Sequence, residues 1–400
     1  MADILPIPKC KKPTYSDFRP ISLLPIPGKI LEKIIFEKER RNLLSTYDKW
    51  QFAYRPGGST TAALVTIHDK VTELLDQKDC TGVSLATVDL SKAFDRVPHG
   101  QLIEYLRNKT SYVFLHWLSG YLSDRCFRVI YSGNYSTTRV ITSGVPQGSI
   151  LGPYLFASYM SDVQPSTDNV WYVKYADDVT VIQPLSSSVH DAIISNELSH
   201  IRDCVTTKGL SLNERKTKRI IFSKRNLPAV PIIPCDHSLK ILGVIFTCDL
   251  RWNNHIDAIV KLCSSRLHLL RVLKSIVNKQ ELIVVYKSLI VSVLTYAAPV
   301  FVGLSSELSK RVEKVQRRAH RIICGSRCLC SMFPPIHEIL FQQAVQLLRT
   351  AEESQFHPLH RLVPQRLPNT RRFRQPSANT DRRLKSFVPF ISCALNVGHV

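Results

Sequence analysis

Two adjacent carboxylates, Asp177 and Asp178, stand in Tyr175-Ala176-Asp177-Asp178, between the β-branched and aromatic runs Val170-Trp171-Tyr172-Val173-Lys174 and Val179-Thr180-Val181-Ile182. Runs of this kind around a short polar break read as two strands joined by a turn, with the carboxylates at the hairpin's tip. A third carboxylate, Asp89, closes another strand-like run, Val83-Ser84-Leu85-Ala86-Thr87-Val88, after which Ser91-Lys92-Ala93-Phe94 opens helical spacing. Acidic side chains on neighbouring strands suit Mg²⁺, which takes one or two carboxylates together with water and phosphate oxygens. Two such ions clamp an in-line phosphoryl displacement. An Asp-Asp pair alone is more often an ordinary polar turn, so its chemistry depends on what surrounds it.

The elements that would position these residues mix two periodicities. A helix is expected over residues 28–44, with apolar residues at Ile30, Leu31, Ile34 and Ile35, and a second over 60–75 after the turn at Pro56-Gly57-Gly58. A helix across 100–122 follows, then a hairpin over 127–141 turning at Ser132-Gly133-Asn134. Residues 189–208 read as an amphipathic helix with Gly209 as its C-cap. From His255 onward the periodic apolar positions Ile256, Ile259, Val260, Leu262, Leu267, Leu269, Leu270 and Leu273 predict a helical region. The apolar stretch 289–304 is interrupted by Ser292, Thr295 and Pro299 and is too short for a bilayer span, so a buried helix is expected. Strands and helices in this mixed order predict an α+β fold rather than a doubly wound sheet.

Fifty-three Lys and Arg against thirty-two Asp and Glu give a net charge of +21, beyond the roughly 2 to 8 that keeps a small domain soluble. Such a surface gains sequence-independent affinity for nucleic acid by displacing counterions from phosphates. Four hundred residues, 44% of them hydrophobic, predict two or three packed subdomains. The eleven cysteines follow no regular framework, and Met1-Ala2-Asp3-Ile4-Leu5-Pro6 has neither a charged start nor a long apolar run. An intracellular chain with reduced thiols is therefore expected. Cys324, Cys328 and Cys330, near His320 and His337, lack the paired spacing of a structural zinc site and read as ordinary thiols. Beyond Ser354, Arg366, Arg371, Arg372, Arg374, Arg382, Arg383 and Lys385 lie among Pro, Asn and Ser, which predicts a partly disordered basic tail.

Seven boxes follow one another along the chain. They are Arg19-Pro20-Ile21-Ser22-Leu23-Leu24, Gln51-Phe52-Ala53-Tyr54-Arg55-Pro56-Gly57-Gly58-Ser59-Thr60, Asp89-Leu90-Ser91-Lys92-Ala93-Phe94-Asp95, Gly144-Val145-Pro146-Gln147-Gly148-Ser149, the Tyr175 to Asp178 turn, Leu212-Asn213-Glu214-Arg215-Lys216-Thr217-Lys218, and Leu242-Gly243. In this order, and over nearly the whole chain, they resemble the reverse transcriptases of non-long-terminal-repeat (LINE-type) retrotransposons. The resemblance implies a right-hand polymerase: fingers over 1–82, a palm over 83–252 with a finger-like hairpin at about 126–142, a helical thumb over 253–353, and the tail over 354–400. It implies an RNA-directed DNA polymerase, in which a primer 3′-hydroxyl attacks the α-phosphate of a deoxynucleoside triphosphate opposite an RNA template and pyrophosphate leaves. The partners would be RNA template, DNA primer and dNTPs, with two Mg²⁺ ions (Mn²⁺ as the alternative), no membrane, and no cofactor beyond nucleotides. Cytoplasm and nucleus are the implied locations. The nicking endonuclease of such elements lies upstream of this region and is not contained in this sequence.

By the same resemblance Asp89, Asp177 and Asp178 are the metal ligands. Lys12 and Arg19 match the finger position that contacts the incoming triphosphate, where a guanidinium suits phosphate oxygens, and Arg55 is a further candidate. Gln147 would touch the nucleotide, and Gly148 would let backbone approach it. Phe94, five residues after Asp89, lies where reverse transcriptases carry an aromatic ring beneath the incoming sugar, leaving no room for a 2′-hydroxyl. Lys216 resembles the lysine proposed to protonate departing pyrophosphate, and Leu242-Gly243 looks like the start of the primer grip. Blander readings stand beside these: solvated surface cations for Lys12 and Arg19, core packing for Phe94, and a plain turn for residues 144–149. Three departures from the family pattern keep a second function open, that of an inactive or domesticated relic that only binds nucleic acid. These are Ala53 in place of glycine, Phe301-Val302-Gly303 in the thumb, and Leu384-Lys385-Ser386-Phe387-Val388-Pro389 without the tryptophan that normally follows.

Overall fold

A computed structural model describes residues 2–14, 17–186, 192–223, 235–325 and 333–397. The chain opens with β1 (Ala2–Pro8), paired antiparallel from Asp3↔Leu23 to Pro8↔Phe18 with β2 (Phe18–Leu23). Helix α1 (Ile26–Ser45) follows, with proline in its first turn, where the missing N–H costs nothing. Its apolar spacing points outward: Ile30, Leu31 and Ile34 are 55%, 49% and 51% exposed, while Glu32, Phe36, Glu39 and Leu43 face in. The carboxylates go inside because each finds donors far along the chain. Glu32 accepts from the Tyr121 hydroxyl (2.5 Å) and the Ile150 amide (2.7 Å), and Glu39 accepts from the Ser111 amide (3.4 Å) and hydroxyl. Buried charges are tolerated on those terms.

Ser59 caps α2 (Thr60–Asp76) by accepting from the Ala62 amide at 3.0 Å, and β3 (Gly82–Val88) leads through Asp89 to the short α3 (Ala93–Arg96). The single helix expected over 100–122 is two, α4 (His99–Leu106) and α5 (Tyr112–Leu122). Asn108 takes a left-handed φ of 63° between them, and Ser111 restarts the ladder by accepting from Phe114 N at 3.2 Å. The expected hairpin is present as β4 (Cys126–Tyr131) and β5 (Asn134–Tyr135), with β6 (Arg139–Val140) also on β4. Ser132 and Gly133 both take positive φ at its turn, as a two-residue hairpin prefers. β4 also runs parallel to β1.

Then come α6 (Gly152–Tyr159), β7 (Trp171–Tyr175), β8 (Asp178–Leu185) and α7 (Ala192–Thr207). The first residues of the helix expected over 189–208 lie outside those described. Next is β9 (Lys218–Ser223), and a four-stranded sheet has the order β7-β8-β3-β9, with β3 and β9 antiparallel from Gly82↔Ser223 to Thr87↔Lys218. The hairpin of β10 (Ser238–Ile241) and β11 (Val244–Thr247) turns at Leu242-Gly243, and the Tyr296 hydroxyl donates to the Leu242 carbonyl at 2.7 Å.

Beyond it are α8 (Asn253–Leu273) and α9 (Lys279–Tyr286). The buried helix expected over 289–304 is a broken one: a π-turn over Lys287–Val291, the short α10 (Ser292–Leu294) and a 3₁₀ turn over Ala298–Phe301. Ala297 turns left-handed at φ 55° just before Pro299, and Pro299 has no N–H to carry a helix on. Ala298 to Phe301 are nonetheless buried, and no described helix is long and apolar enough to cross a membrane. The remaining helices are α11 (Ser306–Cys324), α12 (Ile336–Glu353), α13 (Asp381–Leu384) and α14 (Phe387–Val397). Of the cysteine group, Cys328 and Cys330 lie outside the described residues.

The tail expected to be partly disordered is anchored by packing within its described residues. Leu359, Phe373, Phe387, Val388 and Ile391 are buried between its basic residues, and Arg383 donates to the Asp69 carboxylate (2.6 Å) and carbonyl (3.0 Å) on α2. Its charge-rich composition hid apolar anchors spaced widely enough to escape a window reading. With 49% helix and 18% strand the α+β expectation is met. Two compact units divide the chain, one of Met1–Arg55, Val88–Thr180 and Ile193–Thr217, the other of Pro56–Thr87, Val181–Ala192 and Lys218–Val400. In the second, α8, α9, α11 and α12 close a core around Ile256, Leu267, Leu282, Ile290, Val312 and Ile336.

Candidate active site

Asp89 leaves the end of β3 held at both backbone and side chain. Asn213 N donates to its carbonyl at 2.8 Å and Asn213 Nδ2 to its Oδ2 at 3.1 Å, while Lys216 Nζ lies 3.2 Å from the same oxygen. Leu90 bridges Leu212 alongside, so the Leu212 to Lys218 box is laid against the first carboxylate by backbone pairing. Lys216 itself is largely exposed.

The other two carboxylates come from the tight turn between β7 and β8. Ala176 takes φ 55° there, and Tyr54 and Lys92 are left-handed too, at 56° and 50°. Non-glycine residues in that region are strained, and such strain gathers at functional sites. Burial pushes the Asp177 carboxyl above the usual carboxylate range, as does the Asp89 charge, against the pull of Arg19 and Lys216. Asp178 opens to solvent at its edge, yet desolvation by the surrounding protein, then the charges of Asp177 and Asp89, push it up to about 6. The acids therefore sense one another, and Arg19 and Lys216 supply the nearest compensating charge.

Among the described residues no group of three or more His, Cys, Asp or Glu side chains could by itself hold a metal ion. The charges of Asp89 and Asp177 nevertheless reach Asp178, and carboxylates within electrostatic reach of one another are the kind of donor a hard divalent cation takes together with phosphate oxygens and water.

The Gly144 to Ser149 box is tied to two neighbours. Ser22 N on β2 donates to the Gln147 carbonyl at 2.7 Å, and Val145 N to the Phe94 carbonyl at 2.7 Å. Gly148 has φ +107°, and a Cβ there would meet the Ser22 carbonyl oxygen at 2.8 Å, so only glycine lets the loop lie this close to β2. Gln147 Nε2 donates to Asp95 Oδ1 at 2.8 Å. Burial raises the Asp95 pKa against that hydrogen bond and the charges of Lys92 and Lys9. Phe94 is half-buried, its ring stacked on Phe156 at 4.2 Å.

Two candidates are placed otherwise. Lys12 is exposed in the β1–β2 connection, and it is Lys9 whose charge reaches Asp95. Arg55 turns its guanidinium into the backbone, donating to the carbonyls of Asp48 (3.4 Å) and Gln51 (3.3 Å). Sequence reasoning passed over Gln51, Asp95 and Asn213, although each stands inside a quoted box, because nothing in residue type separates a positioning amide or carboxylate from a surface one.

The family model described as Reverse transcriptase (RNA-dependent DNA polymerase) matches residues 7–246. The RNA-directed DNA polymerase from mobile element jockey of Drosophila funebris is 28% identical over 337 residues, covering 79% of this chain and 36% of that protein. The probable RNA-directed DNA polymerase from transposon BS of Drosophila melanogaster is 28% identical over 359 residues, 81% of this chain and 38% of the relative. The chain thus spans little more than a third of the length of these relatives.

Proposed function

The chain belongs to the reverse transcriptase (RNA-dependent DNA polymerase) family, and on that premise we propose that it extends a primer 3′-hydroxyl with deoxynucleoside triphosphates on an RNA template, as the polymerase segment of a non-long-terminal-repeat retrotransposon protein. The observation that carries this reading is the acid trio: burial first, and then the charges of Asp177 and Asp89, push Asp178 up to about 6. Carboxylates so arranged favour cation uptake. The family generally uses divalent metals, and in this proposal the three acids would hold two Mg²⁺ ions, with Mn²⁺ as a substitute, which when bound would supply charge stabilisation for the phosphoryl transfer.

The chain's own groups do the rest. Arg19, whose charge already reaches Asp177, would receive the triphosphate, with Lys9 or Lys12 on the β1–β2 connection that leads into its strand. Lys216, ion-paired to Asp89, is placed in this scheme to hand a proton to departing pyrophosphate, a role that needs proximity and a suitable pKa. Phe94, braced by Phe156, would lie under the sugar and exclude a 2′-hydroxyl. Gln147 and Gly148 would border the nucleotide. Within this proposal residues 1–82 serve as fingers, 83–252 as palm, 253–353 as thumb, and the cytoplasm and nucleus are the sites of action.

The test is primer extension by the purified chain on an RNA template. Product that accumulates with Mg²⁺ and not in a metal-free control supports the reading; tight template–primer binding without extension would favour the non-catalytic relic.

A further inference from the structure

We propose that Gln51 is a positioning residue whose side-chain carbonyl seats the turn bearing Asp177 and Asp178, and so sets the spacing of two of the three acids. The inference rests on the metal-dependent reading above and deepens it. Gln51 is fully buried, and its Oε1 accepts from two backbone amides, Ala53 N at 3.0 Å and Ala176 N at 3.2 Å. Both facing groups are N–H donors, which fixes the oxygen rather than the NH₂ toward them. The second is the amide of the left-handed residue at φ 55°, immediately before Asp177. A strained residue stays put only where its surroundings over-determine it, and this hydrogen bond holds Ala176 itself from outside the hairpin.

The platform under Gln51 is built to match. Residues 50–52 run parallel to β7, with Lys174 N donating to the Trp50 carbonyl and Phe52 N to the Lys174 carbonyl, each at 2.9 Å. Lys174, wholly buried, places Nζ 3.0 Å from Asp48 Oδ2 and donates to the Met160 carbonyl at 3.1 Å. Arg55 holds the same segment through the Asp48 and Gln51 carbonyls. The segment that delivers Gln51 is therefore fixed by bonds independent of the turn. Gln51 Nε2, in contrast, is buried without a hydrogen-bond partner among the described residues. An amide kept there with one end unsatisfied fits a demand for its oxygen.

Two variants of the full chain separate this role from packing. Gln51→Met keeps length and removes the acceptor; Gln51→Glu keeps an acceptor for both amides. Four quantities are read: exchange protection of the Ala176 amide in the metal-free protein, Mn²⁺ binding followed by electron paramagnetic resonance, kcat against template–primer Kd, and the melting temperature. Expected for Gln51→Met are loss of Ala176 protection, Mn²⁺ affinity weaker by about tenfold or more, the usual range when a group that orients a metal ligand is removed, and lower kcat at unchanged template–primer Kd. Gln51→Glu should retain protection and most of the Mn²⁺ affinity. A folded Gln51→Met with wild-type protection and Mn²⁺ binding overturns the proposal. So does Gln51→Glu impaired as deeply as Gln51→Met, since shape rather than the accepted bonds would then matter. If Gln51→Met does not fold, Gln51→Glu decides alone: retained protection and affinity support the role, and loss of either in a folded protein ends it. A wild-type chain that neither binds Mn²⁺ nor extends a primer sinks the polymerase reading, and the seat of the turn is then judged on amide exchange in the two variants.

Discussion

Two buried ion pairs sit in different parts of this chain and serve different ends. Lys174 and Asp48 pair beneath the turn that carries Asp177 and Asp178, whereas Arg383 and Asp69 pin the tail to α2. Around the first lie left-handed non-glycine residues and carboxylates whose pKa values are raised by burial and then by neighbouring carboxylate charge. Around the second lie apolar anchors, with Phe387, Val388 and Ile391 all buried. One region holds an arrangement that is electrostatically unfavourable without a ligand; the other simply closes a core. Substitutions at the acids of the first region should therefore strike chemistry far more than the melt, and those in the second should do the reverse.

The largest expected effect is on chemistry. Asp177→Asn should lower extension by about a thousandfold, equivalent to roughly 4 kcal/mol of barrier. Template–primer Kd should stay close to wild type, because the basic surface is intact. Comparable loss of binding in a filter or anisotropy assay would break the distinction between the regions.

Arg383→Met strands a buried Asp69 carboxylate, whose pKa burial already raises, and should cost about 3 to 5 kcal/mol of unfolding free energy. The extension rate per folded molecule below the transition should not change. A denaturant melt equal to wild type would show that the tail is not anchored through this pair.

Phe94→Val tests a residue that belongs to both kinds of region, since the ring stacks on Phe156 at 4.2 Å and borders the acids in sequence. Stability should fall by about 1 to 3 kcal/mol from the cavity, and the ratio of ribonucleotide to deoxynucleotide incorporation should rise. An unchanged ratio in a folded, active variant would reassign Phe94 to packing alone.

The smallest effect sharpens the electrostatic half of the comparison. Asp178 has a folded pKa of about 6 against an ordinary 3.8, so the fold disfavours its ionised form. The stability linked to its proton is fully present below about pH 4 and is lost as pH rises through about 6. In metal-free protein Asp178→Asn should therefore gain about 1 kcal/mol at pH 7, a figure reduced for solvent screening at this open position, and gain nothing near pH 4. Melts at the two pH values check it, and an equal gain at both would remove the charge explanation.

What the sequence made legible follows the same division. The acids, their strands and the hairpin turn could be read directly, because alternation and turn chemistry are local. The face of α1 could not: Ile30, Leu31 and Ile34 suggest an inner stripe, but Glu32 and Glu39 take that place through partners at Tyr121, Ile150 and Ser111. Such contacts span about 70 to 120 positions of sequence, beyond any periodicity window. Gln51 was hidden for the same reason, its partner Ala176 lying 125 residues away. The break of residues 100–122 at Asn108 and the packing of the tail are likewise decided by tertiary contacts and single backbone conformations rather than by composition.

The claim that this chain is an RNA-directed polymerase is tested most directly by single-nucleotide addition to a primer annealed to RNA templates that present each of the four bases in turn, with Mg²⁺ and one dNTP per reaction. The account predicts addition of the complementary nucleotide in each case and none without the metal. Absence of addition with all four, or addition indifferent to the templating base, would contradict it.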